Sequence, residues 1–191
     1  MRKVLEFLDP QSDDVVLDVG CGPGTQLIEL APFIHAGYGI DPAEEMIRRA
    51  TADAAGHANL HFHVGSAQHL PDAIRTATMN KIFSNYALHH LPDPIKRTSI
   101  QSLAQHLPVG GTFILGDLMF SDDPEKHHDL LEFVGYGPGS DMPAYVTTLQ
   151  EMFTSAGLDL STHILNPLVG VIIGTKTQPE GPCYGSPARR T

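Results

Sequence analysis

Apolar runs of strand length alternate with amphipathic stretches along most of the chain. The predicted strands are residues 15–19, 36–40, 60–64, 81–85, 112–117, 159–165 and 169–175. The predicted helices between them are residues 25–33, 43–55, 68–73, 94–107 and 143–156. This order of strands and helices favours an α/β fold in which helices cover a mostly parallel sheet.

The last two predicted strands differ from the others because only the short turn at Asn166 and Pro167 joins them. So short a connection makes an antiparallel pair, which predicts a hairpin at one edge of the sheet. From Thr177 the chain is rich in Pro and Gly and has no periodicity. We therefore expect one domain over residues 1–176 and a flexible tail over residues 177–191.

Composition limits the binding partners and the cellular location that we expect for this domain. The chain has 191 residues, two cysteines and a formal net charge of −10. The negative charge disfavours nucleic acid and anionic membranes as partners, and two cysteines make no disulfide framework. Glu6 and Asp9 interrupt the start of the sequence, and no run of about 18 apolar residues follows. We expect a cytoplasmic protein without a membrane segment.

The clearest chemical signal is the stretch VVLDVGCGPGT at residues 15–25. Glycines 20, 22 and 24 follow a predicted strand, so the backbone can approach a ligand closely at the start of the next helix. A dinucleotide fingerprint needs its third glycine or alanine at the position of Thr25, which weakens an NAD-dependent alternative. Asp18, just before the glycines, suits a ligand that carries positive charge. A ligand-free tight turn remains the other interpretation.

Six segments, in order, resemble the class I S-adenosylmethionine-dependent methyltransferases. They are VVLDVGCGPGT, GYGIDPAEEMIRRA, HVGSAQHLP, SNYALHHLPD, LPVGGTFILGDLMF and LQEMFTSAGL, between about residues 14 and 176. The resemblance implies a Rossmann-like, doubly wound sheet of seven strands in the order 3-2-1-4-5-7-6. It also implies S-adenosyl-L-methionine as the cofactor and methyl transfer as the activity, and it is nearest to small bacterial methyltransferases of unassigned acceptor.

The resemblance also assigns residues to the cofactor site. Its cofactor-binding positions are Asp18, Gly20, Cys21, Gly22, Gly24, Asp41, Pro42, Met46, Ser66, Ala67, Gln68, Asn85 and Tyr86. Asp41 has separate support, since a ribose-binding acid is expected at the end of the second strand. An aspartate usual in the third motif is replaced by Ser66 and Ala67, which predicts a weaker contact with the adenine. We expect Cys21 to be a small residue of the turn and not a nucleophile.

Catalytic residues are harder to assign, because methyl transfer depends mainly on alignment of the reactants. The candidates are His90, in the fourth motif, and Asp117, at the end of the fifth strand. The chain has eleven histidines, but adjacent residues point in different directions and no spacing resembles a structural zinc site. The sequence therefore predicts no metal.

The acceptor should bind beyond the carboxyl ends of strands four and five. Only about a dozen residues precede the first strand, so the segment 121–142 is the predicted lid over a comparatively open site. We expect a small-molecule acceptor with an O, N or S nucleophile, and a homodimer is a possible way to complete the site. The alternative is a non-catalytic subunit that binds S-adenosylmethionine and serves as a scaffold.

Overall fold

A computed structural model describes residues 2–178 and places strands where the apolar runs predict them. Its strands are β1 Val15–Val19, β2 Ala36–Asp41, β3 Leu60–Val64, β4 Lys81–Asn85, β5 Thr112–Phe120, β6 Ala144–Tyr145, β7 Leu158–Asn166 and β8 Val169–Lys176. Its α-helices are α1 Arg2–Leu8, α2 Thr25–Leu30, α3 Glu44–Asp53, α4 Asp72–Thr76, α5 Asp93–Gln105, α6 His128–Phe133 and α7 Val146–Ser155. Short 3₁₀ helices cover Ala31–Phe33, Leu88–His90 and Pro124–Lys126.

The main sheet has the order β3-β2-β1-β4-β5-β8-β7. The pairs from β3 to β5 are parallel, and β8 pairs antiparallel with both β5 and β7. The predicted α/β fold class, strand order and C-terminal hairpin are confirmed. The predicted number of seven strands is too small, because the two-residue β6 also pairs with the end of β5. A strand so short carries no periodicity that a sequence could reveal.

Helices cover both faces of the sheet, because successive strand residues point to opposite sides. In β4, Ile82 belongs to the apolar cluster under α5 and α7, while Phe83 belongs to the cluster under α1 and α2. Phe113 and Phe153 pack with ring centroids 5.0 Å apart between β5 and α7. The strands are therefore buried from two sides, and their carboxyl ends are left to form a site.

Helix α1 is absent from the sequence prediction. Val4 and Leu8 lie four residues apart on one face and are both buried against the sheet. The helix fits closely because Gly116 has no side chain: a Cβ there would lie 2.2 Å from Val4 Cγ2. The spacing of Val4 and Leu8 was a detectable signal, although seven residues are too few for a strong helical pattern.

Helix α4 corresponds to the helix predicted over residues 68–73, but it begins later, at Asp72. Pro71 disfavours a helical conformation at Leu70, so a helix cannot run through this point. The chain makes a tight turn instead, in which Ser66 and His69 pair. The last helix also begins later, at Val146, because β6 occupies the residues before it.

The predicted lid segment, residues 121–142, contains a 3₁₀ turn and α6 rather than only irregular chain. Apart from Thr177 and Gln178, the predicted tail lies outside the described residues. Within residues 2–178, no helix combines the length and apolarity required to cross a membrane.

Candidate active site

The glycine turn between β1 and α2 forms the floor of the site. Gly20, Gly22 and Gly24 have φ angles of +78°, +52° and +77°, which favour glycine. The backbone N–H groups of Gly20 and Cys21 both donate to the carbonyl of Ile40, at 2.8 and 3.0 Å. These bonds fix the turn against the end of β2.

Two of these glycines also allow close packing. A Cβ on Gly20 would lie 2.3 Å from the Cβ of Ala87, so the loop after β4 can approach the turn only because residue 20 is glycine. A Cβ on Gly24 would lie 2.7 Å from the ring of Phe62. Around Gly22 no atom lies within 4 Å of the position that a Cβ would take. The turn is thus packed on two sides and free on the third.

A cavity of about 440 Å³ lies beside the turn and is called the cofactor cavity below. Six predicted cofactor-binding residues line it: Asp18, Gly20, Cys21, Gly22, Asn85 and Tyr86. Leu5 of α1 also lines this cavity. The sequence prediction, which took the lid segment as the only substantial cover, overlooked the contribution of α1.

The acid and the thiol of the cofactor cavity both have raised pKa values. Asp18 is 2% exposed, and burial, followed by the charge of Asp41, raises the pKa of its carboxyl well above the usual value. Burial, then the charges of Asp18 and Asp41, strongly raises the pKa of the Cys21 thiol. A high thiol pKa agrees with the expectation that Cys21 is no nucleophile. A buried carboxyl facing a cavity is suited to a cationic ligand, which would favour its ionised form.

Asp41 reaches the same turn from the end of β2. Its Oδ2 accepts the Gly22 N–H at 2.9 Å, and its Oδ1 accepts the Ala43 N–H at 2.9 Å. Pro42 and Met46 follow on the exposed side, at the start of α3. The carboxylate of Asp41 therefore joins the second motif to the first.

The third predicted motif contributes a turn and no charged group. Ser66 Oγ accepts the His69 N–H at 3.2 Å, Ala67 is buried in the core, and Gln68 is exposed. The Ser66 hydroxyl is thus engaged within its own turn. These three residues do not form part of the cofactor cavity wall described above.

A second cavity of about 780 Å³ lies under the lid segment and is called the acceptor cavity below. Tyr86, His89, His90 and Leu118 line it from the sheet side. Residues of the lid segment close the other side, with Phe133 and Asp141 among them. Tyr86 lines both cavities, so they meet at this residue.

Two histidines and two aspartates pair at the edge of the acceptor cavity. His89 Nδ1 lies 2.5 Å from Asp117 Oδ1, and both groups are buried. His90 Nδ1 lies 3.1 Å from Asp141 Oδ1, and the His90 side chain is 56% exposed. Of the two predicted catalytic residues, His90 lines the cavity, whereas Asp117 lies beneath His89. The sequence prediction missed Asp141, which no motif marks.

The adjacent histidines also correct an expectation about direction. The rings of His89 and His90 have centroids 4.0 Å apart, because residues 88–90 form a 3₁₀ turn and not a strand. Adjacent side chains can converge in such a turn. The argument from alternating directions, used above against a metal, therefore does not apply to this pair.

Comparison with known proteins gives the class. A family model described as a methyltransferase domain matches residues 16–111, half of the chain. An uncharacterized methyltransferase of Alkaliphilus oremlandii is 24% identical over 184 residues, covering 92% of this chain and 82% of that protein.

Solved structures share the fold. The YcgJ protein of Bacillus subtilis has a TM-score of 0.76 at 20% identity, covering 93% of this chain and 97% of that one. Magnesium protoporphyrin IX methyltransferase of Synechocystis, solved with bound SAH, has a TM-score of 0.72 at 18% identity, covering 92% and 83%. At such identities these neighbours establish the fold alone.

The chain belongs to the methyltransferase-domain family. It is an S-adenosylmethionine-dependent methyltransferase, as the sequence motifs predicted. The cofactor cavity fits that cofactor, since a glycine turn that leaves the space beside Gly22 free lies next to a buried carboxyl. The alternatives of an NAD enzyme and of a scaffold subunit are not favoured by these matches.

Proposed function

We propose that this enzyme transfers a methyl group to an O, N or S nucleophile of a small molecule that binds in the acceptor cavity. The observation that carries this proposal is the shared wall at Tyr86, which brings the acceptor cavity next to the cofactor cavity. A volume of about 780 Å³ lies within the usual range for small-molecule sites, roughly 300–1,000 Å³. The net charge of −10 supports a partner other than nucleic acid or an anionic membrane.

The predicted cofactor residues have distinct tasks in this proposal. S-adenosylmethionine, when bound, supplies a methyl group activated by a positively charged sulfur. The Asp18 carboxyl would hold the amino group, and Asp41 would bind the ribose hydroxyls. Met46 and the turn at residues 66–68 would lie near the adenine. Asn85 and Tyr86, at the end of β4, would contact the cofactor on its acceptor side.

Transfer replaces a carbon–sulfur bond by a bond from the acceptor's nucleophile to the methyl carbon, and the electron pair stays on the sulfur. Alignment of the three atoms is the main task of the protein, and such positioning supplies roughly 7–11 kcal/mol of the barrier in the best cases. Tyr86 has a φ of +54°, an uncommon value for a residue other than glycine. Such backbone strain is often retained where a residue must be held in one position, here between the two cavities.

His90 and Asp117 have different roles in this proposal. His90 lines the acceptor cavity, so its ring can contact the acceptor and take the proton that a hydroxyl, amine or thiol loses. Asp117 is 1% exposed and accepts N–H groups from the backbones of His89 and Leu118, at 3.0 and 2.8 Å. We therefore assign Asp117 a positioning role, exerted through His89.

We further propose that residues 1–176 act as one methyltransferase domain, with residues 121–142 as the cover of the acceptor cavity. Phe133 lines that cavity, although Phe133 itself is 84% exposed to solvent. An exposed aromatic side chain at a cavity suits closure over a bound acceptor, or contact with a second copy of the chain.

The first experiment separates cofactor binding from acceptor binding. Calorimetry should show S-adenosylmethionine binding to the wild type and clearly weaker binding to Asp41→Asn. Turnover across a panel of small acceptors is followed by release of S-adenosylhomocysteine. Binding without turnover of any small acceptor would contradict the proposed acceptor class.

The second experiment tests the acceptor cavity. With an acceptor found in the panel, Phe133→Ala should raise KM for the acceptor several-fold and leave the Kd for S-adenosylmethionine unchanged. Val109→Ala is the matched control, since Val109 is an exposed apolar residue (58%) in the turn before β5, outside the residues that line either cavity. Equal KM values for the two variants would refute the acceptor cavity as assigned.

A further inference from the structure

Three side chains converge at the edge of the acceptor cavity with the donor atoms of a metal site. We propose that His89 Nε2, His90 Nδ1 and Asp141 Oδ1 bind one divalent first-row transition metal ion. The three ligand atoms lie within 4.8 Å of one another. Asp141 Oδ1 is 3.1 Å from His90 Nδ1 and 3.9 Å from His89 Nε2. A small movement of these side chains would therefore place all three ligand atoms at bonding distance from one shared ion.

The contact with Asp117 prepares His89 to act as a ligand. Asp117 takes N–H groups from two backbone positions and keeps its carboxylate directed at the His89 ring. In the neutral tautomer in which Nδ1–H donates to this carboxylate, Nε2 has the free lone pair and lies on the side of Asp141, 3.9 Å from its Oδ1. Metal-binding histidines commonly donate their second N–H to a carboxylate in this way.

Asp141 is prepared by a separate contact. Its Oδ2 accepts the Gly137 N–H at 2.7 Å, which fixes the carboxylate and leaves Oδ1 facing both imidazoles. The ligand set thus combines two imidazole rings and one carboxylate, and each of the two buried members, His89 and Asp141, is held by a contact outside the set.

The charge balance also favours a cation. Asp117 and Asp141 bring two carboxylates to one small region. The nearby Lys96 ammonium bonds the carbonyl of Met142 but is paired with Asp93, at 2.9 Å. A divalent ion would balance the two carboxylates without displacing that pair.

The kind of metal follows from the donors. Two imidazoles and one carboxylate suit Zn²⁺, Fe²⁺ and neighbouring ions, and they leave coordination positions free for another ligand. Those positions would face the acceptor cavity, which His89, His90 and Asp141 all line. The ion would then hold an oxygen or nitrogen of the acceptor, a role that rests on the proposed function. In the metal-bound protein His90 Nδ1 serves as a ligand, so the proton of the acceptor leaves to solvent.

The test is a titration of the full, metal-free chain with Co²⁺, followed by its visible absorption, and with Zn²⁺, followed by calorimetry. The wild type should bind one ion per chain. Asp117→Asn replaces the carboxylate that holds the His89 ring, without removing a metal ligand, and should weaken binding roughly 10- to 100-fold. Asp141→Asn and His90→Gln remove ligands and should weaken it further. His35→Gln is the matched control, an exposed histidine before β2, and should bind like the wild type.

His90 is exposed, so His90→Gln should fold, and circular dichroism checks this. Equal Co²⁺ binding by His90→Gln and His35→Gln, or no stoichiometric binding by the wild type, would overturn the metal site. Calorimetry with S-adenosylmethionine on the same metal-free samples keeps the two proposals apart. Normal cofactor binding together with absent metal binding would refute the ion alone, whereas absent cofactor binding would refute the proposed function and leave the Co²⁺ titration valid.

Discussion

The close approach of Ala87 to Gly20 makes the substitution Gly20→Ala a sharp test of the site's architecture. The new Cβ would lie 2.3 Å from the Cβ of Ala87, far inside a normal contact, and both atoms are attached directly to backbone. The backbone shifts that such overpacking forces lower the free energy of unfolding by about 1–3 kcal/mol. A side chain at the φ of +78° adds about 1–2 kcal/mol. The variant should lose stability by these amounts together, and it should bind S-adenosylmethionine poorly because the loop bearing Tyr86 is displaced.

Urea denaturation of four variants separates the two causes. Gly22→Ala places a side chain at a φ of +52° with no atom within 4 Å, so it should lose only the backbone contribution. Ala87→Gly alone should cost about 0.4–1 kcal/mol through the entropy of the unfolded chain. In the double variant Gly20→Ala/Ala87→Gly the clash is absent, so its destabilisation should fall well below the sum of the single effects. Strict additivity would refute the reasoning.

Four further predictions concern Asp18, Cys21 and the packing of α1. Because the pKa of the Asp18 carboxyl is raised on folding, its ionisation opposes folding above the unfolded value near 3.8 and is without effect below it. Asp18→Asn should therefore raise the free energy of unfolding of the cofactor-free protein at neutral pH, as measured by urea denaturation. The same substitution should weaken S-adenosylmethionine binding. A variant that is less stable than the wild type at neutral pH, and equally stable in acid, would contradict this reasoning. Wild-type affinity for S-adenosylmethionine should decline as pH falls through the raised pKa, and calorimetry in buffers of different ionisation enthalpy should detect proton release on binding. Iodoacetamide at pH 8 should leave Cys21 unmodified in the native protein and modify it in urea, as judged by peptide mass spectrometry, since burial raises the pKa of its thiol; rapid native labelling would be inconsistent with that environment. Gly116→Ala should cost about 1–3 kcal/mol by forcing Val4 away from the sheet, and it should weaken cofactor binding through Leu5; if Val4→Ala in the same chain restored neither property, the packing argument would fail.

Most of the sheet could be predicted because its strands are short segments rich in apolar residues that alternate with amphipathic stretches. The bounds of β1, β3 and β4 agree with the prediction at both ends. The exceptions are short elements. The pairing of β6 depends on a partner strand more than twenty residues away along the chain, and α4 is displaced by the local restriction at Pro71.

The cofactor side of the site was also accessible from sequence, because it is built from chain-local motifs. Six of the residues assigned by motif line one cavity, and Asp41 bonds to the turn. The acceptor side was not accessible in the same way. Asp141 lies 51 residues after His90, within a segment without periodicity, and only the folded chain brings their side chains to 3.1 Å.

The sequence by itself determined the fold class, the cofactor and the backbone of the glycine turn. These follow from periodicity and from glycines whose required φ angles are local properties of the chain. Only the tertiary structure decided which of the two adjacent histidines is buried, which carboxylate each ring contacts, and that α1 walls the cofactor cavity. Such contacts depend on the direction of side chains from distant elements. A 3₁₀ turn at residues 88–90 and a lid segment folded over β5 fix those directions, and neither leaves a repeating pattern in the sequence.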